Sequence, residues 1–241
     1  MAERPRLSVV LPAYNEEARL PRTIARVAAY LAEEARWLPA EIIVADDGSG
    51  DRTTAVAEAF VPPAGVSLRL VRLPHNRGKG AAVRAGVLAS AGAQVLISDA
   101  DLATPIEELA TLASRDVDLA VGSRGLRRDL IERRQPLPRD VLGRVFNLAI
   151  RLLGLTAFTD TQCGFKLIEG ELARRLAAAQ RLDSFAFDIE LLARAERAGA
   201  RLAEVPVRWS HVDDSRVRAL RHGAAMVLDA LRVRWWLWTG Q

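Results

Sequence analysis

What most constrains this chain is an alternation: short runs of aliphatic and β-branched residues are separated by longer segments whose apolar residues recur at helical spacing. That pattern predicts an α/β fold with a mostly parallel sheet flanked by helices, because parallel neighbours need a crossover between them. Strands are predicted at Leu7–Leu11, Glu41–Ala45, Ser67–Arg72, Gln94–Ser98, Val117–Val121 and Glu204–Trp209. Between the first two, Leu20, Ile24, Val27 and Leu31 fall on one helical face. Further helices are predicted near 52–60, 79–90, 105–114, 140–153, 171–179, 187–198 and 216–237. Residues 124–139, with Gly125, Pro136 and Pro138, carry no clear period and read either as a loop over a site or as a plain surface excursion.

A chain of 241 residues with half of them hydrophobic can bury one sizeable core, and no repeat or hydrophilic linker divides it. The expected organisation is one domain over 1–215 followed by a C-terminal amphipathic helix over 216–241. The single cysteine, Cys163, excludes an intramolecular disulfide, and the region after Met1 lacks a signal-peptide core, so a cytoplasmic location is expected. Arg or Asp interrupts every apolar run before the roughly 18 residues that a spanning helix requires. Net charge is +4, yet residues 124–151 hold eight arginines against Asp129, Glu132 and Asp140. Such clustering fits an anionic partner or a solvated face.

In an open α/β sheet the ligand crevice lies beyond the carboxyl ends of the strands. Those ends are polar here: Pro12-Ala13-Tyr14-Asn15-Glu16-Glu17, Asp46-Asp47-Gly48-Ser49-Gly50-Asp51, His75-Asn76-Arg77-Gly78-Lys79-Gly80 and Ser98-Asp99-Ala100-Asp101. On an extended segment Asp99 and Asp101 point to the same side and make a hard oxygen pair, of the kind that Mg2+ or Mn2+ bridges to substrate phosphates. The Asp46–Asp51 stretch reads as a turn with Ser49 or Asp51 as a helix cap or, placed beside Asp99 in the sheet order, as a source of an acid for a nucleobase N–H. Gly78-Lys79-Gly80 offers backbone N–H groups and an ammonium to an anion. It also imitates a dinucleotide fingerprint, imperfectly because Val83 stands at the third glycine position, which leaves an NAD-dependent dehydrogenase as a distant alternative. His75, His211 and His222 lack zinc-like spacing and read as surface or capping residues, and Cys163 as a small buried side chain.

Taken in order, Val9-Val10-Leu11-Pro12-Ala13-Tyr14-Asn15-Glu16, Asp46-Asp47-Gly48-Ser49, Asn76-Arg77-Gly78-Lys79-Gly80 and Asp99-Ala100-Asp101 resemble the family 2 glycosyltransferases of the GT-A fold, particularly their polyprenyl-phosphate branch. Gly122-Ser123-Arg124, Asp160-Thr161-Gln162-Cys163-Gly164-Phe165-Lys166, Phe187-Asp188-Ile189-Glu190-Leu191 and Glu204-Val205-Pro206-Val207-Arg208-Trp209 are similar to the dolichyl-phosphate glucosyl members more than to the mannosyl ones. The resemblance spans residues 6 to 235 and implies a Rossmann-like sheet. It implies that Pro12, Tyr14, Glu16, Asp47, Lys79 and Ala100 bind the donor, while Asp99 and Asp101 hold the metal and diphosphate. It further implies that Arg124, Arg139 and Arg216 bind the donor diphosphate or acceptor phosphate. Catalytic or sugar-orienting roles fall to Asp101, Arg124 and Asp160, with Asp160 equally readable as structural. The membrane anchor of the eukaryotic glucosyl enzymes and the extra membrane helices of some bacterial relatives are expected to be missing.

The activity so implied is Mg2+- or Mn2+-dependent, inverting transfer of a hexose, glucose from UDP-glucose, to a polyprenyl or dolichyl phosphate. A phosphate monoester is largely in its second ionised state above pH ~6, so such an acceptor needs no dedicated general base. The partners expected are a nucleotide-sugar, a polyprenyl phosphate and the cytoplasmic surface of a membrane, without nucleic acid; a homo-oligomer is compatible with the sequence. From Arg216 to Trp238 arginines and tryptophans mix with aliphatic residues, which suits a helix lying in a membrane interface, or one packed on its own sheet or a second subunit. The alternative acceptor is a small phosphorylated metabolite or a sugar hydroxyl, used by a soluble transferase.

Overall fold

The computed structural model describes residues 3–212 and 219–239. Its strands are β1 (Leu7–Ala13), β2 (Ala40–Asp46), β3 (Val66–Arg72), β4 (Gln94–Ser98), β5 (Leu119–Ser123), β6 (Ile131–Arg133), β7 (Phe165–Glu169), β8 (Leu202–Pro206) and β9 (Trp209–Ser210). The helices are α1 (Leu20–Glu33), α2 (Thr53–Glu58), α3 (Lys79–Ala89), α4 (Leu109–Ala113), α5 (Leu137–Leu152), α6 (Gly170–Ala179), α7 (Phe187–Arg197) and α8 (Ala219–Thr239). Seven strands form one sheet in the order β3-β2-β1-β4-β7-β5-β8, and β6 pairs with β9 apart from it. All neighbours in the main sheet are parallel except β7, which runs antiparallel to both β4 and β5.

Helices cover both faces of the sheet, so β1, β2 and β4 are buried almost throughout. One layer packs α1, α2 and α4 on the sheet, and the other packs α3, α6, α7 and part of α8. In α1 the predicted stripe of Leu20, Ile24, Val27 and Leu31 is fully buried, each side chain contributing about 1.5–3 kcal/mol on the usual scale for apolar burial. Pro21 stands in the first turn, where its missing N–H costs no helical hydrogen bond.

The chain proceeds from β1 to β2 and β3 on one side and then crosses to β4 on the other. The strand order therefore reverses between β1 and β4, the place where open α/β sheets form their ligand crevice.

Three strand expectations change. The segment Phe165–Glu169, taken for connection, is a strand in the middle of the sheet. The single strand expected over Glu204–Trp209 breaks into β8 and β9, and Trp209 leaves the main sheet to pair with Ile131. The strand expected over Val117–Val121 runs two residues later, at Leu119–Ser123. The irregular stretch 124–139 contains β6 and the first turn of α5.

In α8, Ala230 and Val233 are buried, whereas Val227, Leu228, Leu231, Trp235 and Trp238 are exposed. The domain boundary expected at 215/216 and the side chain of Arg216 lie outside the described residues, as does that of His222. No helix among the described residues is long and apolar enough to cross a membrane.

Candidate active site

A cavity of about 850 Å³ opens at the reversal of strand order. Pro12, Ala13 and Tyr14 enter it from the end of β1, and Asp99, Ala100 and Asp101 from the end of β4. The two acids share the cavity by a route other than extended pleating. Leu102 N–H donates to the Asp99 carbonyl at 3.1 Å, closing a turn over 99–102 in which Leu102 has φ 48°. The hydroxyl of Thr23, in α1, donates to the Ala100 carbonyl at 2.6 Å and fixes that turn to the first helix. Asp101 Oδ1 accepts the Ala103 N–H at 3.0 Å. Burial first, and the Asp99 charge second, raise the pKa of Asp101.

Gly164 makes room for this pair. A Cβ there would lie 2.0 Å from Asp99 Oδ2, so the carboxylate rests directly on the backbone ahead of β7. Lys79 forms an ion pair with Asp99. Burial, the largest influence, opposes the ammonium, but the Asp99 carboxylate together with Asp188 and Asp101 outweighs it and the Lys79 pKa is pushed up to about 12.

The Gly78-Lys79-Gly80 segment differs from an open anion cradle. Its helix-initial N–H groups are taken by the Asp183 carbonyl, at 2.9 Å from Gly80 and 3.3 Å from Ala81. Gly78, at φ +117°, and Gly80 are needed because a Cβ at either would strike the 182–184 backbone. Lys79 thus reaches the site by its side chain alone.

Asp47 is separated from Asp99 by β1 in the sheet, and so is not its strand neighbour. Its carboxylate lines the cavity and accepts the N–H groups of Arg77 and Gly78, both at 2.8 Å. Asp46, fully buried, accepts from the Ser49 N–H, the Ser49 hydroxyl and the Thr54 hydroxyl, which is a structural use. Glu16 lines the cavity and is gripped by both ends of the Arg19 guanidinium at 2.8 and 2.9 Å.

On the opposite wall stands Arg124. Asp160 holds it bidentately at 2.7 Å through each oxygen and accepts its backbone N–H as well. Burial, the largest influence, would raise the Asp160 pKa, but the Arg124 charge, the Arg124 hydrogen bonds and the Lys166 charge together keep the carboxyl below its usual range. The guanidinium lies 5.3 Å from the ring of Trp209, and that ring is 6.0 Å from His211. Arg124, Trp209 and His211 all face the cavity, with Asp160 buried behind them. Arg139 falls within α5, and its side chain lies outside the described residues.

Several lining residues were not singled out from the sequence as site residues. Asp188 is buried, bonded to Lys166 Nζ at 2.6 Å, and has its pKa raised, chiefly by burial. Its signals in the sequence are an acid inside the largely apolar Phe187–Leu191 string and the place of that string among the motifs that carry the family resemblance. Gln162 lines the cavity and carries a buried amide nitrogen without a hydrogen-bond partner among the described residues. Cys163 is buried, and burial pushes its thiol up to about 11, which agrees with an inert packing role.

Two adjacent carboxylates, one disfavoured when charged, fit a hard divalent cation that draws its remaining ligands from a diphosphate and water. Among the described residues no cluster of three or more His, Cys, Asp or Glu side chains forms a complete protein cage.

From α5, Leu142, Val145, Phe146 and Ala149 extend the cavity wall, and from α8 Met226 and Val227. The same α5 helix exposes Leu137, Val141, Val145, Leu148 and Leu152 along one side. An anion-lined chamber therefore continues into an apolar, solvent-facing slot.

Residues 8–176 match the family model described as Glycosyl transferase family 2, and the chain belongs to that family of glycosyltransferases. Among its relatives, the dolichyl-phosphate beta-glucosyltransferase of Drosophila melanogaster is 39% identical over 225 residues, which is 88% of this chain and 69% of the relative. The Homo sapiens protein of the same name is 36% identical over 242 residues, 95% of this chain and 74% of the relative. Among solved structures, glucosyl-3-phosphoglycerate synthase from Mycobacterium tuberculosis in complex with Mn2+, UDP and glucosyl-3-phosphoglycerate has a TM-score of 0.64 at 25% identity, covering 95% of this chain and 80% of that one. Its UDP complex, at a TM-score of 0.69 and 22% identity over the same shares, agrees in fold.

Proposed function

We propose that the chain transfers glucose from UDP-glucose to a polyprenyl or dolichyl phosphate, with inversion, at the cytoplasmic surface of a membrane. The observation that carries this reading is the two-part cavity: acids and Lys79 at one wall, Arg124 at the other, and an apolar slot between α5 and α8 leading outward. A lipid phosphate has the same two-part chemistry. The names of the Drosophila and human relatives support the glucosyl donor and the dolichyl acceptor.

In this reading Pro12, Tyr14, Glu16, Asp47 and Ala100 surround the nucleoside and diphosphate. Asp99 and Asp101 would hold Mg2+ or Mn2+, which when bound supplies a Lewis acid to the departing diphosphate. Arg124, kept in place by Asp160 and Trp209, orients the acceptor phosphate and offsets repulsion between the two anions. Arg139 and Arg216 are proposed as further phosphate contacts. A phosphate oxygen forms the bond to the anomeric carbon as the bond to UDP breaks. The nucleophile is already ionised at neutral pH, so no side chain need remove a proton.

The test is to incubate the purified chain and Mn2+ with several nucleotide-sugars, offering a short polyprenyl phosphate and 3-phosphoglycerate together, and to weigh both products. The expected result is one hexose added to the lipid phosphate from UDP-glucose, with a β linkage by NMR. Transfer to 3-phosphoglycerate alone would overturn it in favour of the second reading, a soluble transferase, which the name of the solved neighbour supports.

A further inference from the structure

Away from the catalytic cavity, α6, α7 and α8 enclose a groove of about 390 Å³. Its floor is apolar, formed in part by Leu172, Leu176 and Trp236, and its rim carries Arg175, Arg194 and Arg197. No carboxylate lines it among the described residues. Arg194 is neutralised by the buried Glu190 at 2.8 Å, but Arg175 and Arg197 are exposed and make no ion pair with any described residue. A further guanidinium, that of Arg181, lies 5.2 Å over the Trp236 ring. Unpaired cations above an apolar floor suit an anion that carries hydrocarbon; a small hydrated anion would gain nothing from the floor. The same turns of α8 expose Trp235 and Trp238, side chains that settle at headgroup depth in a bilayer.

We propose that this groove binds the phosphate of an anionic phospholipid headgroup, so that α8 engages the bilayer at a defined headgroup site as well as through its apolar face. The proposal rests on the membrane-surface part of the proposed function and adds the chemistry of the lipid recognised. The groove shares no lining residue with the catalytic cavity, in which the proposed acceptor path runs between α5 and α8.

Co-sedimentation of the full chain with phosphatidylcholine vesicles, with or without phosphatidylglycerol, tests it. Wild type is expected to favour the anionic vesicles, and the Arg175→Gln/Arg197→Gln double variant to lose about tenfold or more of that binding, given about 1 kcal/mol per basic residue near an anionic surface. Binding to neutral vesicles should not change. A control, Arg22→Gln/Arg115→Gln, removes the same charge from exposed residues beside α1 and α4, on the other face of the sheet, and should stay near wild type. An equal loss in the control, or no loss in the groove variant, would overturn the proposal. So would displacement from vesicles by millimolar inorganic phosphate at constant ionic strength, which would make the groove a site for free anions. Turnover of a short polyprenyl phosphate in detergent, expected unchanged in the groove variant, reports separately on the proposed function.

Discussion

The half of the molecule built by β1 to β4 and the half built by β5 to α8 face each other across the cavity, and they treat their functional side chains differently. In the first half nearly every acid near the crevice is already gripped: Asp47 by two backbone N–H groups, Asp46 by two hydroxyls, Glu16 by Arg19. In the second half Leu137, Val145, Leu148 and Leu152 of α5 and Leu231, Trp235 and Trp238 of α8 stand in solvent. Contiguous apolar exposure on this scale marks a surface that expects a partner. In the proposed reading the donor side is preorganised by its own chain, and the acceptor side is finished by its surroundings. Electrostatic catalysis depends on dipoles and charges fixed before the reaction, so rigidity belongs on the side of the leaving group.

The comparison can be broken most sharply at the turn after β4. Asp99→Asn and Asp101→Asn should each lower turnover by on the order of a thousandfold, measured as UDP release with Mn2+. Because the folded-state pKa of Asp101 is raised, native stability falls as pH rises from the ordinary carboxyl value to the folded one, and the full penalty is present above it. In chelator at neutral pH, Asp101→Asn should therefore melt at a higher temperature than wild type while remaining inactive.

Next in size is Gly164→Ala. Its methyl would occupy the place of the Asp99 carboxylate, and a displacement of that order costs about a hundredfold in rate, while circular dichroism should show an unchanged fold.

Asp160→Asn probes the second half. Leaving Arg124 without its charge partner should cost roughly 3 kcal/mol of stability and about tenfold in acceptor KM. Since the Asp160 pKa is lowered in the fold, its stabilisation is present above the ordinary carboxyl value and is lost as pH falls through the folded value. Denaturant titrations of wild type and variant should accordingly converge below about pH 4.

The smallest effect sharpens the comparison from the outside. Leu148→Gln with Leu152→Gln should alter stability by no more than about 0.5 kcal/mol per site, because both side chains are already exposed. The same variant should keep its activity on detergent-dispersed acceptor and lose a few-fold in vesicle sedimentation.

The parallel first half was legible because its strands are buried on both faces and so appear as unbroken apolar runs. β7 is hidden in the sequence because Lys166 stands inside it; a fully buried lysine is tolerated there through its ion pair with Asp188, a pairing that no local spacing reveals, and a hydrogen bond to the Cys163 carbonyl. Pro138 masked the start of α5, reading as a breaker although it sits in the first turn. At the site, position after a strand identified Asp99 and Asp101, but the turn that joins them depends on Thr23 from a distant helix. Trp209 and His211 lay beyond a strand break that their sequence did not announce.

The reversed direction of β7 has one more result. β5 stops and β7 starts side by side at the crevice, so residues 124 to 164 leave the sheet and come back to nearly the same point, with Arg124 and Asp160 clasped across the neck. An insertion inside such a closed detour, away from the β6 pairing with β9, does not propagate into the main sheet, and each doubling of its length adds only about 0.6 kcal/mol of closure entropy. The part of the detour between Arg124 and Asp160 can therefore change length while the turn that carries Asp99 and Asp101, and Gly164 beneath it, stays in place.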